Sequence, residues 1–110
     1  MIETVYNQRN NPNTVQFLRE DGAPLDFSSA TRMVLKFKGS IIQADTDIDA
    51  SLIDFSTGNG DVIFNINGLG LPDCSVFGAS LIVYDPAHVD GQIIVHAKES
   101  SLFFRFIDPL

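Results

Sequence analysis

Apolar and polar side chains alternate with a period of two in one short run after another of this chain, and no segment sustains the 3.6-residue period of a helix. Successive side chains of a strand point to opposite faces, so each run can bury its apolar face only by stacking against a second layer. Val15 and Phe17 share a face in residues 14–19. Met33, Leu35 and Phe37 share one in residues 32–38, opposite Arg32, Val34, Lys36 and Lys38. Residues 61–67 place Val62, Phe64 and Ile66 inward and Asn65 and Asn67 outward, and residues 51–55 give a shorter candidate closed by Thr57-Gly58-Asn59-Gly60. Residues 79–84 and 92–97 read as a hairpin across the Asp85–Gly91 loop, and residues 101–107 form the last strand. About seven short strands, with turns every eight to twelve residues or so, predict an all-β fold: an antiparallel, immunoglobulin-like β-sandwich. The disulfide core of an antibody domain is excluded, because there is no Trp and a single cysteine, Cys74.

The connections carry their own chemistry. In Glu20-Asp21-Gly22-Ala23-Pro24-Leu25-Asp26-Phe27-Ser28-Ser29-Ala30-Thr31, Gly22 is free to take a positive φ, whereas Pro24 holds φ at roughly −65° and cannot donate to a ladder. Leu25 and Phe27 point one way and Asp26 and Ser28 the other, so the segment turns the chain, pegs it on apolar side chains and relaunches it as a strand. Between Gly68 and Gly78, Leu69, Leu71, Val76 and Phe77 predict a loop that plugs an open end of the sandwich. Asn7-Gln8-Arg9-Asn10-Asn11-Pro12-Asn13 reads as a polar loop. Residues 1–13 are therefore an N-terminal arm or a first short strand and loop, and residues 14–110 the sandwich.

A chain of 110 residues with a formal charge of −7 is one domain with little to offer nucleic acid, since phosphate binding needs clustered Lys and Arg. No apolar run approaches the roughly 18–20 residues of a membrane helix, so no membrane partner is expected. Met1-Ile2-Glu3 lacks the positive start and apolar stretch of a secretory signal, so none is expected, and the single Cys74, which excludes an internal disulfide, fits synthesis in a reducing cytoplasm. Between Gly39 and Ala97 there is no Lys or Arg, yet Asp45, Asp47, Asp49, Asp54, Asp61, Asp73, Asp85 and Asp90 all lie there. Such a separation suits head-to-tail or partner contacts through opposed patches, or serves solubility alone.

Candidate chemistry is sparse. Asp45-Thr46-Asp47-Ile48-Asp49 opens like a calcium loop, but Ala50 stands where that loop needs Gly and Ser56 where it needs a bidentate Glu. In a strand, Asp45, Asp47 and Asp49 would line one solvated face. Asp85-Pro86-Ala87-His88-Val89-Asp90-Gly91 sets two carboxylates near one imidazole, yet turn geometry already accounts for these residue types. His96 sits among apolar neighbours as a half-buried packing residue. Cys74 has no basic residue nearby in sequence to activate it, and Ser28, Ser29, Ser100 and Ser101 lack a nucleophile-elbow pattern. Gly68-Leu69-Gly70 precedes no helix, and Glu3, Glu20 and Glu99 are scattered. The expectation is a protein that is not an enzyme, with no catalytic residue, metal ligand or cofactor site.

The last strand gives a sharper signal. Leu102, Phe104 and Phe106 occupy one face, and Phe103 and Ile107 the other, interrupted only by Arg105. A sandwich strand ordinarily leaves its outer face wet. Two apolar faces predict a cover over the outer one: another subunit, another protein, or the chain's own N-terminal segment. Burying Phe103 and Ile107 would contribute about 3–5 kcal/mol at about 25 cal/mol per Å². Phe103, Arg105, Ile107 and Tyr6 are the candidate partner-interface residues.

The run Gly22-Ala23-Pro24-Leu25-Asp26-Phe27-Ser28-Ser29-Ala30-Thr31, followed by an alternating strand, resembles the opening of small immunoglobulin-like domains in tailed-phage virion proteins, such as the N-terminal domain of phage baseplate upper proteins. Residues 79–92, Ala-Ser-Leu-Ile-Val-Tyr-Asp-Pro-Ala-His-Val-Asp-Gly-Gln, resemble the final hairpin of such proteins as they occur among head–tail genes. Phe27 and Ser29 depart from the usual aliphatic residue and Gly of the first motif. The resemblance implies a non-enzymatic virion component that decorates or stabilises the capsid or acts as an adaptor at the neck, tail or baseplate. Its partners would be other virion proteins (major capsid, portal, neck or tail), with self-association as a homo-oligomer. A carbohydrate- or host-surface-binding module is the rival, weakened by the lack of Trp and the wide separation of Tyr6 and Tyr84.

Overall fold

The computed structural model describes residues 2–19, 21–95 and 102–108. Nine strands follow one another there: β1 (Ile2–Tyr6), β2 (Asn13–Gln16), β3 (Arg32–Phe37), β4 (Gln43–Asp45), β5 (Ile53–Asp54), β6 (Asp61–Phe64), β7 (Ser75–Asp85), β8 (His88–Val95) and β9 (Phe103–Ile107). They form two sheets in a sandwich-like, all-β arrangement. One sheet has the order β1-β9-β7-β3-β4, with β8 also paired to β7, and the other the order β2-β6-β5. The sheets are not wholly antiparallel as expected, because β1 runs parallel to β9. The residues after β1 carry the chain across to β2 in the other sheet, so β1 has no hairpin partner and pairs instead with the distant last strand.

The eleven-residue β7 organises the larger sheet. Leu81 is in register with Leu35 of β3 on one edge and with Val95 of β8 on the other. Gly78 accepts the Lys38 N–H on the β3 side and is in register with Phe103 of β9 on the opposite side. β8 and β9 thus share one edge of β7, end to end. The inward residues of the alternating runs make the core: Met33, Leu35, Val62, Phe64, Leu81, Phe104 and Phe106 are fully buried. Phe104 meets Phe64 of the opposite sheet edge-to-face at 5.5 Å, and Phe37 meets Phe104 at 5.9 Å and Phe106 at 5.5 Å. Each such ring pair adds about 0.5–1.5 kcal/mol to what its buried area contributes.

The Pro24–Thr31 segment is pegged as its alternation predicts. Phe27 is buried against Phe17, rings 6.1 Å apart, and the Leu25 N–H donates to the Phe17 carbonyl at 3.0 Å. Leu71 is buried and Leu69 and Phe77 pack on the core, as expected of a plug, but Val76 is 52% exposed. β7 already begins at Ser75, and its alternation turns Val76 outward. The hairpin turn is shorter than the sequence suggested, since Asp85 pairs with His88 and only Pro86-Ala87 stand between them.

Two outward-facing positions differ from expectation. Val34 is 2% exposed although it shares a face with Arg32 and Lys36. The three aspartates do not form a solvated row either. β4 ends at Asp45, which is 4% exposed and takes Arg32 Nε on Oδ1 at 3.0 Å and Nη2 on Oδ2 at 2.6 Å. The guanidinium also lies 4.7 Å over the Tyr84 ring and 3.3 Å from Asp47 Oδ2. Asp49 instead caps a single 3₁₀ turn, Ala50–Leu52, by accepting the Ser51 N–H. A buried carboxylate is tolerated because a forked donor satisfies it, and Val34 lies in register beside it.

Arg32, foremost, holds the Asp45 carboxyl below its usual value, so this group stabilises the fold above the ordinary carboxylate range and the contribution is lost as pH falls through the depressed folded value. Denaturant melts are expected to show stability that declines below about pH 4. Asp45→Asn should cost about 1–3 kcal/mol at neutral pH and make that decline shallower. Gly60 sits at φ +74°, where an added Cβ would collide with the Phe17 carbonyl oxygen and lie 3.1 Å from the Leu25 nitrogen. Gly60→Ala should therefore lose more than about 2 kcal/mol in the same melts.

Candidate interaction surface

β9 lies between β1 and β7, and their registers decide what stands beside its outward side chains. Ile2 is level with Phe103, Thr4 with Arg105, and Tyr6 with Ile107. On the other flank Val76 is level with Arg105, and Gly78, which adds no side chain, with Phe103. Register partners share a face, so these residues form three rows on the outside of the larger sheet. Ile2 is 57% and Tyr6 40% exposed, while Phe103 and Ile107 are half-buried. Arg105 stands exposed in the middle row and donates from Nη2 to Thr4 Oγ1 at 3.2 Å. Among the described residues no carboxylate pairs with it. The N-terminal segment lies beside β9 as β1, not across its outer face.

Tyr6, distant in sequence, is thus brought onto one face with Phe103, Arg105 and Ile107 of β9. Sequence reasoning missed Ile2 and Val76 as their neighbours. The alternation in Ile2-Glu3-Thr4-Val5-Tyr6 was available as a signal for Ile2, but only the pairing shows what it stands beside. The arrangement is an oily strip with one cation at its centre, suited to holding a protein surface that offers apolar side chains around a carboxylate.

A second feature is an open groove of about 1080 Å³ between the Pro24–Thr31 segment and the β5–β6 region. Its apolar lining includes Leu25, Phe27 and Phe55, its carboxylates are Asp26, Asp54 and Asp61, and none of its described lining residues is basic. The Ser28 N–H donates to Asp26, and the Ser56 N–H and hydroxyl donate to Asp54. The Ser28 backbone bond foremost lowers the pKa of Asp26, and the Ser56 hydroxyl foremost that of Asp54, which keeps both ionised at neutral pH.

The remaining candidates do not assemble. Asp85 Oδ1 takes the N–H groups of Ala87 and His88 and lies 2.9 Å from His88 Nδ1, which shapes the hairpin and holds the Asp85 carboxyl low, the imidazole contact being the main cause. Cys74 is exposed at φ 60° in the loop before β7. His96, Glu20, Glu99, Ser100 and Ser101 lie outside the described residues. Among the described residues no group of three or more His, Cys, Asp or Glu could hold a metal ion, and no helix is long and apolar enough to cross a membrane. No family model, curated protein or solved structure matches the chain.

The strip and the core make opposite demands on neighbouring phenylalanines of one strand. Phe104→Ala should cost about 3–5 kcal/mol in denaturant melts. Phe103→Ser should cost about 1 kcal/mol or less, while lowering the fluorescence of an added hydrophobic dye such as anilinonaphthalene sulfonate.

Proposed function

We propose that this protein is a non-enzymatic structural component of a tailed-bacteriophage virion: a capsid decoration or stabilising protein, or an adaptor at the tail, neck or baseplate. It assembles in the particle with other virion proteins and with further copies of itself, using the outer face of β1, β9 and β7 as an interface. The observation that carries the interface is the exposed apolar strip of Ile2, Tyr6, Val76, Phe103 and Ile107 around Arg105. The virion setting rests on the resemblance of residues 22–31 and 79–92 to phage immunoglobulin-like domains.

An immunoglobulin-like topology is part of the same reading. Taking β2, β6 and β5 as strands B, E and D, and β9, β7, β3 and β4 as G, F, C and C′, supports that reading, with strands A and C″ of a variable-type domain having no counterpart among the described residues. β8 then extends strand F as a hairpin, and β1 sits beside the last strand. The rival reading, a carbohydrate- or host-surface-binding module, would draw on the polar rim of the groove. Its described rings favour it little, since Phe27 is buried and Phe55 half-buried, which leaves scant aromatic surface for stacking.

Imaging purified particles grown with and without the gene should reveal density that disappears with the protein. Phe103→Ser combined with Ile107→Ser should deplete the protein from particles while leaving its melting profile close to wild type. Particles of identical composition and image in all three cases would sink the virion assignment.

A further inference from the structure

The strip and the groove are opposite in character and belong to different parts of one molecule. The strip surrounds the exposed Arg105 with apolar side chains, and the groove sets three carboxylates around an apolar lining that has no described basic residue. Arg32, by contrast, is already held by Asp45 and Asp47 and is not available to a partner's carboxylate. A twofold pair made strip to strip would enclose two copies of Arg105 in one contact, and none of the outward residues of the strip is a carboxylate that could neutralise them. Two copies also carry a formal charge of −7 each, and a contact between them must be one that sets local positive against local negative.

We infer that the occupant of the strip is a second copy of this chain, docked head to tail, with Arg105 of one copy facing Asp26, Asp54 and Asp61 in the groove of the next. This rests on the reading of the strip as an interface. It adds the partner and the symmetry: each copy uses two different surfaces, so the contact repeats and closes into a ring where the rotation allows. Because a charge pair sits within the contact, added salt weakens it.

Sedimentation equilibrium on the purified chain tests the arrangement, with circular dichroism to verify folding of each variant. Wild type should show concentration-dependent mass above the 12.1 kDa monomer, falling as salt is raised. Arg105→Glu and Asp54→Lys should each weaken self-association by about 30-fold or more, and the double variant Arg105→Glu/Asp54→Lys should recover it. Asp26→Lys, at an exposed position, repeats the groove reversal without disturbing the Asp54 turn and should act in the same direction. If Arg105→Gln associates more tightly than wild type, the contact is strip to strip and the inference fails. It fails too if wild type stays monomeric at millimolar concentration. Particle imaging reports on the virion assignment separately, so a monomer still found in virions through its strip would overturn only the second-copy partner.

Discussion

The edge-to-face contact of Phe104 with Phe64 is where the two sheets meet, and much of the remaining order depends on it. Phe64 belongs to the three-stranded sheet, Phe104 to the six-stranded one, and Phe37 braces Phe104 and Phe106 from the neighbouring side. Locking Phe104 and Phe106 inward leaves β9 no freedom of register. A slip of one residue would send Phe103, Arg105 and Ile107 into the core. The core therefore sets the composition of the outer surface as firmly as it sets the interior.

Charge is distributed by the same logic. The one buried carboxylate among the described residues, Asp45, is forked by Arg32, whose guanidinium lies over the Tyr84 ring, so both charges are committed to the fold. Several other aspartates serve the backbone: Asp26, Asp49 and Asp54 each accept an N–H two residues on. An acidic chain thus uses many of its carboxylates to shape turns, and the exposed Arg105 gives its described side-chain hydrogen bond to a hydroxyl rather than to one of them.

How much of the fold is legible in the sequence alone follows from which physical signal is local. Alternation is local, and it placed Val15, Phe17, Met33, Leu35, Val62, Phe64, Ile66, Leu102, Phe104 and Phe106 inward, where all are buried. Turn chemistry is local as well, and it anticipated the pegging of Leu25 and Phe27. Partner choice is not local. Val34 reads as a solvent-facing residue of a basic strand until Asp45 folds down beside it, and Asp45 itself reads as a solvated acid until Arg32 reaches it. The hairpin over residues 85–91 was recognisable, but its two-residue turn depends on the Asp85–His88 pairing.

From its amino acids alone, this chain was bound to make strands and to choose their inner faces, because side-chain direction along an extended backbone follows from the backbone itself. Only the tertiary structure decided that the first strand would lie parallel to the last. That choice sets Ile2 and Tyr6 beside Phe103 and Ile107 and turns separate outward residues into one strip. Pairing between ends of a chain is governed by the closing of the whole sandwich, and no stretch of sequence carries that information by itself.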